Sequence, residues 1–278
     1  MTALSVRHQR FQTLHKRGCF VIPNPWDAGS ARVMAALGAQ ALATTSAGFA
    51  FTLGRPDMGS ITRDEALAHA ETIVAATGLP VSGDFENGFA DTPDDVAETI
   101  RLAGEIGLSG CSIEDTMMSE GNPAYPLDIA VERVRAAAAA ARALGRPFVF
   151  CARADGVMNG AYDVEEAIRR IQAFEKAGAD LLYVPLPPNI EALAKIVKSV
   201  SKPVNALAAG RFAKYSRADF EAAGVRRISV GSALARATHK ILIDATTAML
   251  DEGDFTPLQK AASGKAVDFM LQAGGDVG

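Results

Sequence analysis

Cysteine is scarce in this chain of 278 residues. The three present, Cys19, Cys111 and Cys151, stand far apart and form no CxxC pair, which argues against a disulfide framework and fits a reducing cytoplasm. A basic excess is missing too. Lys and Arg number 28 against 32 Asp and Glu, for a net charge of −4, which excludes a nucleic-acid binder that works by bulk positive charge. No apolar run reaches the roughly 18 residues of a membrane span, and residues 1–17 lack the apolar core of a signal peptide. The expectation is a cytoplasmic protein with neither nucleic acid nor membrane as partner. Histidine is sparse: His8, His15, His69 and His239 all miss the expected strand ends, and no HExxH occurs, so histidine acid–base chemistry is not expected. Lysines avoid the strand ends as well, against a Schiff-base aldolase.

Apolar material is ample, at 49% hydrophobic against 22% charged, which excludes a disordered chain. Short β-branched or aromatic runs predict strands at 20–22, 41–46, 81–86, 110–115, 148–155, 181–187, 203–208 and 225–231. Helical patterns follow them at 28–37, 63–77, 93–106, 127–144, 164–177, 190–200, 217–222 and 232–252. Thr62 with Glu65 makes a capping box, and Gly38, Gly78, Gly107, Gly145, Gly178 and Gly224 stand where helices end. Repeated strand–helix units demand right-handed crossovers and a parallel sheet, and eight of them favour closure into a (β/α)8 TIM barrel. The rival is an open doubly wound sheet; no GxGxxG follows the first strand to support its dinucleotide-binding version. Residues 1–278 read as a single barrel domain, with 232–278 an additional C-terminal helical region. Its apolar teeth, Phe255, Leu258, Val267, Phe269, Met270 and Leu271, suit packing on the barrel itself or on a partner subunit.

In such a barrel the active site lies at the C-terminal ends of the strands. The third strand ends in Asp84-Phe85-Glu86, the fourth in Glu114-Asp115 and the fifth in Arg153-Ala154-Asp155. Side chains alternate along a strand, so Asp84 and Glu86 face one way, and Glu114 can join them. Three carboxylates that converge call for a cation, and an oxygen-only set without histidine suits Mg2+, or Mn2+, held largely through water. Against this stands a plainer role in helix caps or surface ion pairs. Arg153 offers a planar fork for a carboxylate or phosphonyl group, and it could also pair with Glu114 or Asp155. Ser46-Ala47-Gly48 reads as a small flexible turn whose N–H groups could face an oxyanion, or as a plain tight turn. Val230-Gly231-Ser232 reads equally as a phosphate cradle or a simple strand-to-helix turn.

Five pieces in order, "PNPWDAGSAR" at 23–32, "TTSAGFAFTLGRPD" at 44–57, "DFENGF" at 84–89, "SIED" at 112–115 and "CARAD" at 151–155, carry a resemblance. Over roughly residues 18–250 the chain resembles the isocitrate lyase/phosphoenolpyruvate mutase superfamily, especially its short bacterial phosphonomutase-like members. The resemblance implies that Ser46, Ala47 and Gly48 bind the substrate, that Asp57 stands beside the reacting atom, and that Asp84 is nearest to Mg2+. It puts Glu86 where the second aspartate of a DxDxG motif usually stands. It makes Glu114 an outer-shell glutamate with a catalytic part and Arg153 the substrate clamp. It also implies a homodimer or homotetramer that exchanges a C-terminal helix, here from Ser232 onward.

The loop after the fourth strand departs from the family pattern. Residues 116–123, TMMSEGNP, lack the lysine, cysteine and histidine of the isocitrate and methylisocitrate lyases, so neither substrate is expected to be cleaved. Asn122 could match the asparagine of the Lys-x-Asn loop in the mutase and phosphonopyruvate hydrolase, where it would bind substrate, but Glu120 replaces the lysine. The first expectation is an Mg2+-dependent lyase or decarboxylase of a small 2-oxo acid, oxaloacetate-like or substituted-malate-like, working through an enolate. A phosphonomutase or phosphonopyruvate hydrolase is the second. The third is a metabolite-binding barrel without turnover.

Overall fold

The computed structural model describes residues 3–277. Eight strands form one parallel sheet: β1 (Phe20–Ile22), β2 (Leu42–Ala43), β3 (Val81–Asp84), β4 (Gly110–Glu114), β5 (Val149–Arg153), β6 (Leu181–Tyr183), β7 (Val204–Leu207) and β8 (Arg227–Ser229). Neighbours run β1-β8-β7-β6-β5-β4-β3-β2. Between β1 and β2 the Ala43 N–H donates to Pro23 O at 3.1 Å, so the sheet curls into a nearly closed barrel, as eight strand–helix units predict.

The helices are α1 (Ala3–Leu14), α2 (Ala28–Ala36), α3 (Ser46–Thr52), α4 (Arg63–Ala76), α5 (Pro93–Glu105), α6 (Leu127–Ala143), α7 (Gly156–Asn159), α8 (Val164–Ala177), α9 (Ile190–Lys198), α10 (Arg217–Ala222), α11 (Ala233–Thr247) and α12 (Gly264–Gly275). Caps set several starts: Thr62 and Glu65 close the expected capping box on α4, and Asp163 caps α8. Most observed strands are shorter than the sequence runs because their last residues leave the ladder to form the barrel mouth. The expected strand at 41–46 is cut hardest: only Leu42 and Ala43 pair with β3, and Ser46 already opens α3.

Two faces of the strands do different work. Ile113, Phe150, Ala152, Leu182 and Val184 point outward into an apolar layer shared with the surrounding helices. Phe20, Ile22, Ala41, Ala43, Val149, Cys151, Leu181 and Tyr183 point inward and pack with Phe11 of α1. Helix α1 thus plugs the floor of the barrel, a job that its polar sequence does not announce. At the other end of the chain α12 lies along α2, with Gly274 directly against the Arg32 carbonyl, and the Gly78 N–H donates to Val277 O at 2.5 Å. Helix α12 thus packs on the chain's own barrel, but of the expected apolar teeth Phe255, Leu258, Val267 and Phe269 stay exposed. Helix α11 is largely exposed, with Ile241, Leu242 and Ile243 all at least 60% accessible. Among the described residues no helix is long and apolar enough to cross a membrane.

Candidate active site

The barrel mouth gathers the acidic strand ends around Arg153. Asp84 closes β3; its Oδ2 accepts the Ser46 N–H and hydroxyl, both at 3.0 Å, and its Oδ1 takes Arg153 Nη1 at 2.6 Å and the Ser112 hydroxyl at 3.3 Å. Phe85 packs outward, as the alternation requires. Glu86 then turns back into the mouth through a left-handed backbone (φ 42°), and its Oε2 accepts the Gly59 N–H at 3.1 Å. Burial, helped by the Asp84 charge, pushes the Glu86 carboxyl up to about 7. Glu114 is buried at the end of β4, with Oε2 2.9 Å from Arg153 Nη2 and Oε1 without any partner. Burial drives its carboxyl well above the usual range, and Arg153 only partly opposes this.

Arg153 is already crowded. Its Nε and Nη2 meet the two oxygens of fully buried Asp155 at 3.1 and 2.5 Å, Nη2 also faces Glu114, and Nη1 faces Asp84. Burial works against its charge, but these three acids outweigh it and hold the guanidinium firmly protonated. The fork expected to clamp a substrate therefore grips Asp155, and its Nη1 edge is turned towards the mouth. Asp57 stands at the exposed rim, where its own side chain accepts the Met58 N–H at 2.8 Å.

Three parts of the sequence reading change. Ser46-Ala47-Gly48 is the first turn of α3 and no flexible loop: Thr45 caps it by accepting the Gly48 N–H at 3.2 Å, and a Cβ at Gly48 would stand 2.5 Å from Thr45 Cγ2. Ser46 and Ala47 line the cavity, and Gly48 stands behind them. The amides of Val230 and Gly231, read as a possible phosphate cradle, already donate to Asn24 Oδ1 at 2.8 and 3.0 Å. Asn122 does not line the cavity; it closes a turn whose backbone N–H reaches back to Ser119 O at 2.9 Å.

Ser46, Ala47, Asp57, Asp84, Glu86, Glu114 and Arg153 do surround one cavity of about 150 Å³. Four of its walls are acidic and two are basic, Arg153 and Arg227. Among the described residues no group of three His, Cys, Asp or Glu is arranged to hold a metal by itself, since Arg153 stands in the middle of the carboxylates. The donor set still suits a hard cation such as Mg2+, which keeps several waters and needs only one or two carboxylates, and the unpartnered Glu114 Oε1 is a free oxygen in a buried place. Sequence reasoning missed the cavity floor, made of Tyr183, Asn205 and Arg227. Alternation was the available signal: Ile228 faces the helices, so Arg227 and Ser229 must face the barrel axis.

A family model for phosphoenolpyruvate phosphomutase matches residues 11–250. The chain belongs to that family. It is thereby a member of the isocitrate lyase/phosphoenolpyruvate mutase superfamily, whose members are lyases and mutases. The crystal structure of a Burkholderia cenocepacia J2315 protein, provisionally described as a lyase/mutase, superposes with a TM-score of 0.92 at 46% identity and covers 96% of both chains. The 2,3-dimethylmalate lyase of Eubacterium barkeri is 28% identical over 250 residues, 87% of this chain and 85% of that one. The oxaloacetate decarboxylase of Paraburkholderia xenovorans is 30% identical over 206 residues, 71% of this chain and 67% of that one.

Proposed function

We propose that this family member is a divalent-metal-dependent lyase or decarboxylase that acts on a small oxaloacetate-like 2-oxo acid or on a substituted-malate-like 2-hydroxy acid, by way of an enolate. The observation that carries this is the cavity itself: about 150 Å³, with four carboxylates against two arginines. A bound cation would offset the carboxylates that stay ionised and let an anionic substrate approach. Relatives named as dimethylmalate lyase and oxaloacetate decarboxylase act on acids of this size.

The residues divide the work. Asp84 would hold Mg2+, or Mn2+, directly or through water, with Glu86 and Glu114 further out. When bound, the ion would supply positive charge where the keto oxygen gains negative charge as the bond breaks. Ser46 fixes Asp84 by two hydrogen bonds, and Asp155 fixes Arg153, so both charges are held in place before substrate arrives. The Arg153 Nη1 edge faces the anionic group of the substrate. Asp57 at the rim lies where a proton can be passed to or from solvent.

The cavity geometry gives the phosphonomutase alternative less support, because Asn122, the residue that pointed to it, does not line the cavity. Isocitrate and methylisocitrate are poor candidates: they carry three carboxylates, and the loop with Met117, Met118 and Glu120 adds no positive charge. The test is a panel of oxaloacetate, substituted malates, methylisocitrate and phosphonopyruvate with Mg2+, scored for the 2-oxo acid released. Turnover of the first two groups that stops in excess chelator is expected. Full activity in chelator, or turnover of phosphonopyruvate alone, would refute the reading.

A further inference from the structure

Barrel interiors of this kind are usually packed with Val, Ile and Leu. Here the layer beneath the mouth is polar: Ser82, Ser112, Asn205, Ser229 and Arg227 all line the cavity. Arg227 is the unusual member. It sits on β8, 4% exposed, between Phe20 of β1 and Asn205 of β7 in the strand register. Its Nε donates to Asn205 Oδ1 at 2.7 Å, and Asn205 is itself held by a hydrogen bond from its amide to Ser229 Oγ at 2.9 Å. Its Nη1 is buried and has no partner. No carboxylate among the described residues lies within ion-pairing distance of it, whereas every nitrogen of Arg153 already faces one.

Arg227 also contacts the Cys151 thiol, but a guanidinium in a barrel core without a carboxylate partner is costly. It is tolerated where an anion completes it, and this one lines the same cavity as Asp84 and Arg153. We propose that Arg227 is the residue that receives the second carboxylate of a dicarboxylic ligand, and so sets the preference of the site for four-carbon diacids over monoacids. The first carboxylate and its neighbouring oxygen would stay at the mouth with Asp84 and Arg153, and the second would point down the barrel towards Arg227 Nη1. Asn205 orients the guanidinium and touches no ligand in this scheme. The assignment rests on the reading of the cavity as the site of a small oxo or hydroxy acid.

Malate and lactate test it, since they are 2-hydroxy acids that differ by one carboxylate. Binding of each to the full chain with Mg2+, measured by calorimetry without turnover, should favour malate by about ten- to a hundredfold, the range for hydrogen bonds to a charged group. Arg227→Met should erase that preference by weakening malate binding far more than lactate binding. Arg227→Lys should retain part of it. A preference for malate that survives in Arg227→Met overturns the assignment while leaving the proposed activity standing, and so does a wild-type protein that binds both acids equally. Failure of both acids to bind the wild type would remove this assignment and the proposed function together. Should Arg227→Met not fold, a crystal structure of the wild type with malate decides: a carboxylate oxygen on Nη1 is expected, and a water there refutes the proposal.

Discussion

Arg153 Nη1 stands 2.6 Å from Asp84 Oδ1, across the end of the strand that lies between them. The contact joins the guanidinium at the centre of the mouth to the least enclosed of the acids that pair with it. It is one of three acidic contacts to a single guanidinium, and the other two, Glu114 and Asp155, are more deeply buried than Asp84. Asp84 is therefore the acid best placed to exchange part of its pairing with Arg153 for a bound cation. Asp155 is the one that keeps the arginine in position when that happens.

Asp84→Asn should show the first half of this. The amide keeps the shape and can still accept from Ser46, but it loses the charge. Mg2+-dependent release of the 2-oxo acid product should fall by about a hundred- to a thousandfold, the usual effect of deleting one preorganised charge-stabilising group. Thermal unfolding should move little, because Arg153 keeps two other acids. A fully active Asp84→Asn enzyme would show that the metal site lies elsewhere.

Arg153→Lys and Asp155→Asn should separate catalysis from support. Lysine keeps the charge but cannot span the Asp155 oxygens and reach Asp84 and Glu114 together. We expect kcat/KM to drop at least about a hundredfold, a loss of some 2.7 kcal/mol in transition-state binding. Asp155→Asn leaves a buried arginine short of its main partner, so urea unfolding should report about 3–5 kcal/mol of lost stability besides the loss of activity. Unchanged KM and kcat in Arg153→Lys would reduce the arginine to a structural role.

The legible parts of the molecule were those written in local chemistry. Eight apolar runs, glycines after helices, and caps such as Thr62 with Glu65 announce the barrel, because each depends on neighbours within a few residues. Asp84, Glu86, Glu114 and Arg153 could be placed at one mouth from strand ends alone. What could not be read depends on distant partners. Nothing near Val230 and Gly231 in sequence says that Asn24, some two hundred residues away, has taken their amides. Nothing in the polar N-terminus shows that Phe11 fills the barrel floor. The turn at Ser46–Gly48 looked flexible because small residues suit loops, yet the same smallness lets α3 begin against Thr45 and Trp26.

The C-terminal region carries a prediction about assembly. Ile241, Leu242, Ile243, Leu250, Phe255 and Phe269 are all at least 60% exposed, on α11, α12 and the segment between them. So many large apolar side chains left bare usually mark a contact surface. We propose that a second copy of the chain covers them, giving a homodimer or homotetramer. Sedimentation should find an oligomer, and a chain cut after Gly253, or carrying Ile241→Glu with Phe269→Glu, should lose it or become insoluble. A full-length chain that sediments as a monomer at micromolar concentration would end this idea.

Acid should loosen the barrel floor through His15. Its Nδ1 donates to the Phe11 carbonyl at 2.8 Å, which leaves Nε2 as the neutral acceptor, buried and without a partner. Burial first, and then the Arg227 charge, lower its pKa from 6.5 to about 3. The folded state thus resists a proton that the unfolded state accepts. Above pH 6.5 both states hold a neutral ring and nothing is lost. As pH falls from 6.5 towards 3 the unfolded state binds the proton alone, and stability drops. Between pH 7.5 and 5 the single residue should cost about 2 kcal/mol. In His15→Phe, which keeps an aromatic ring edge-on to Phe11 and Phe20, that part of the loss should vanish. Urea midpoints at the two pH values measure it, and equal pH losses in variant and wild type would show that His15 is protonated at no cost in the folded protein.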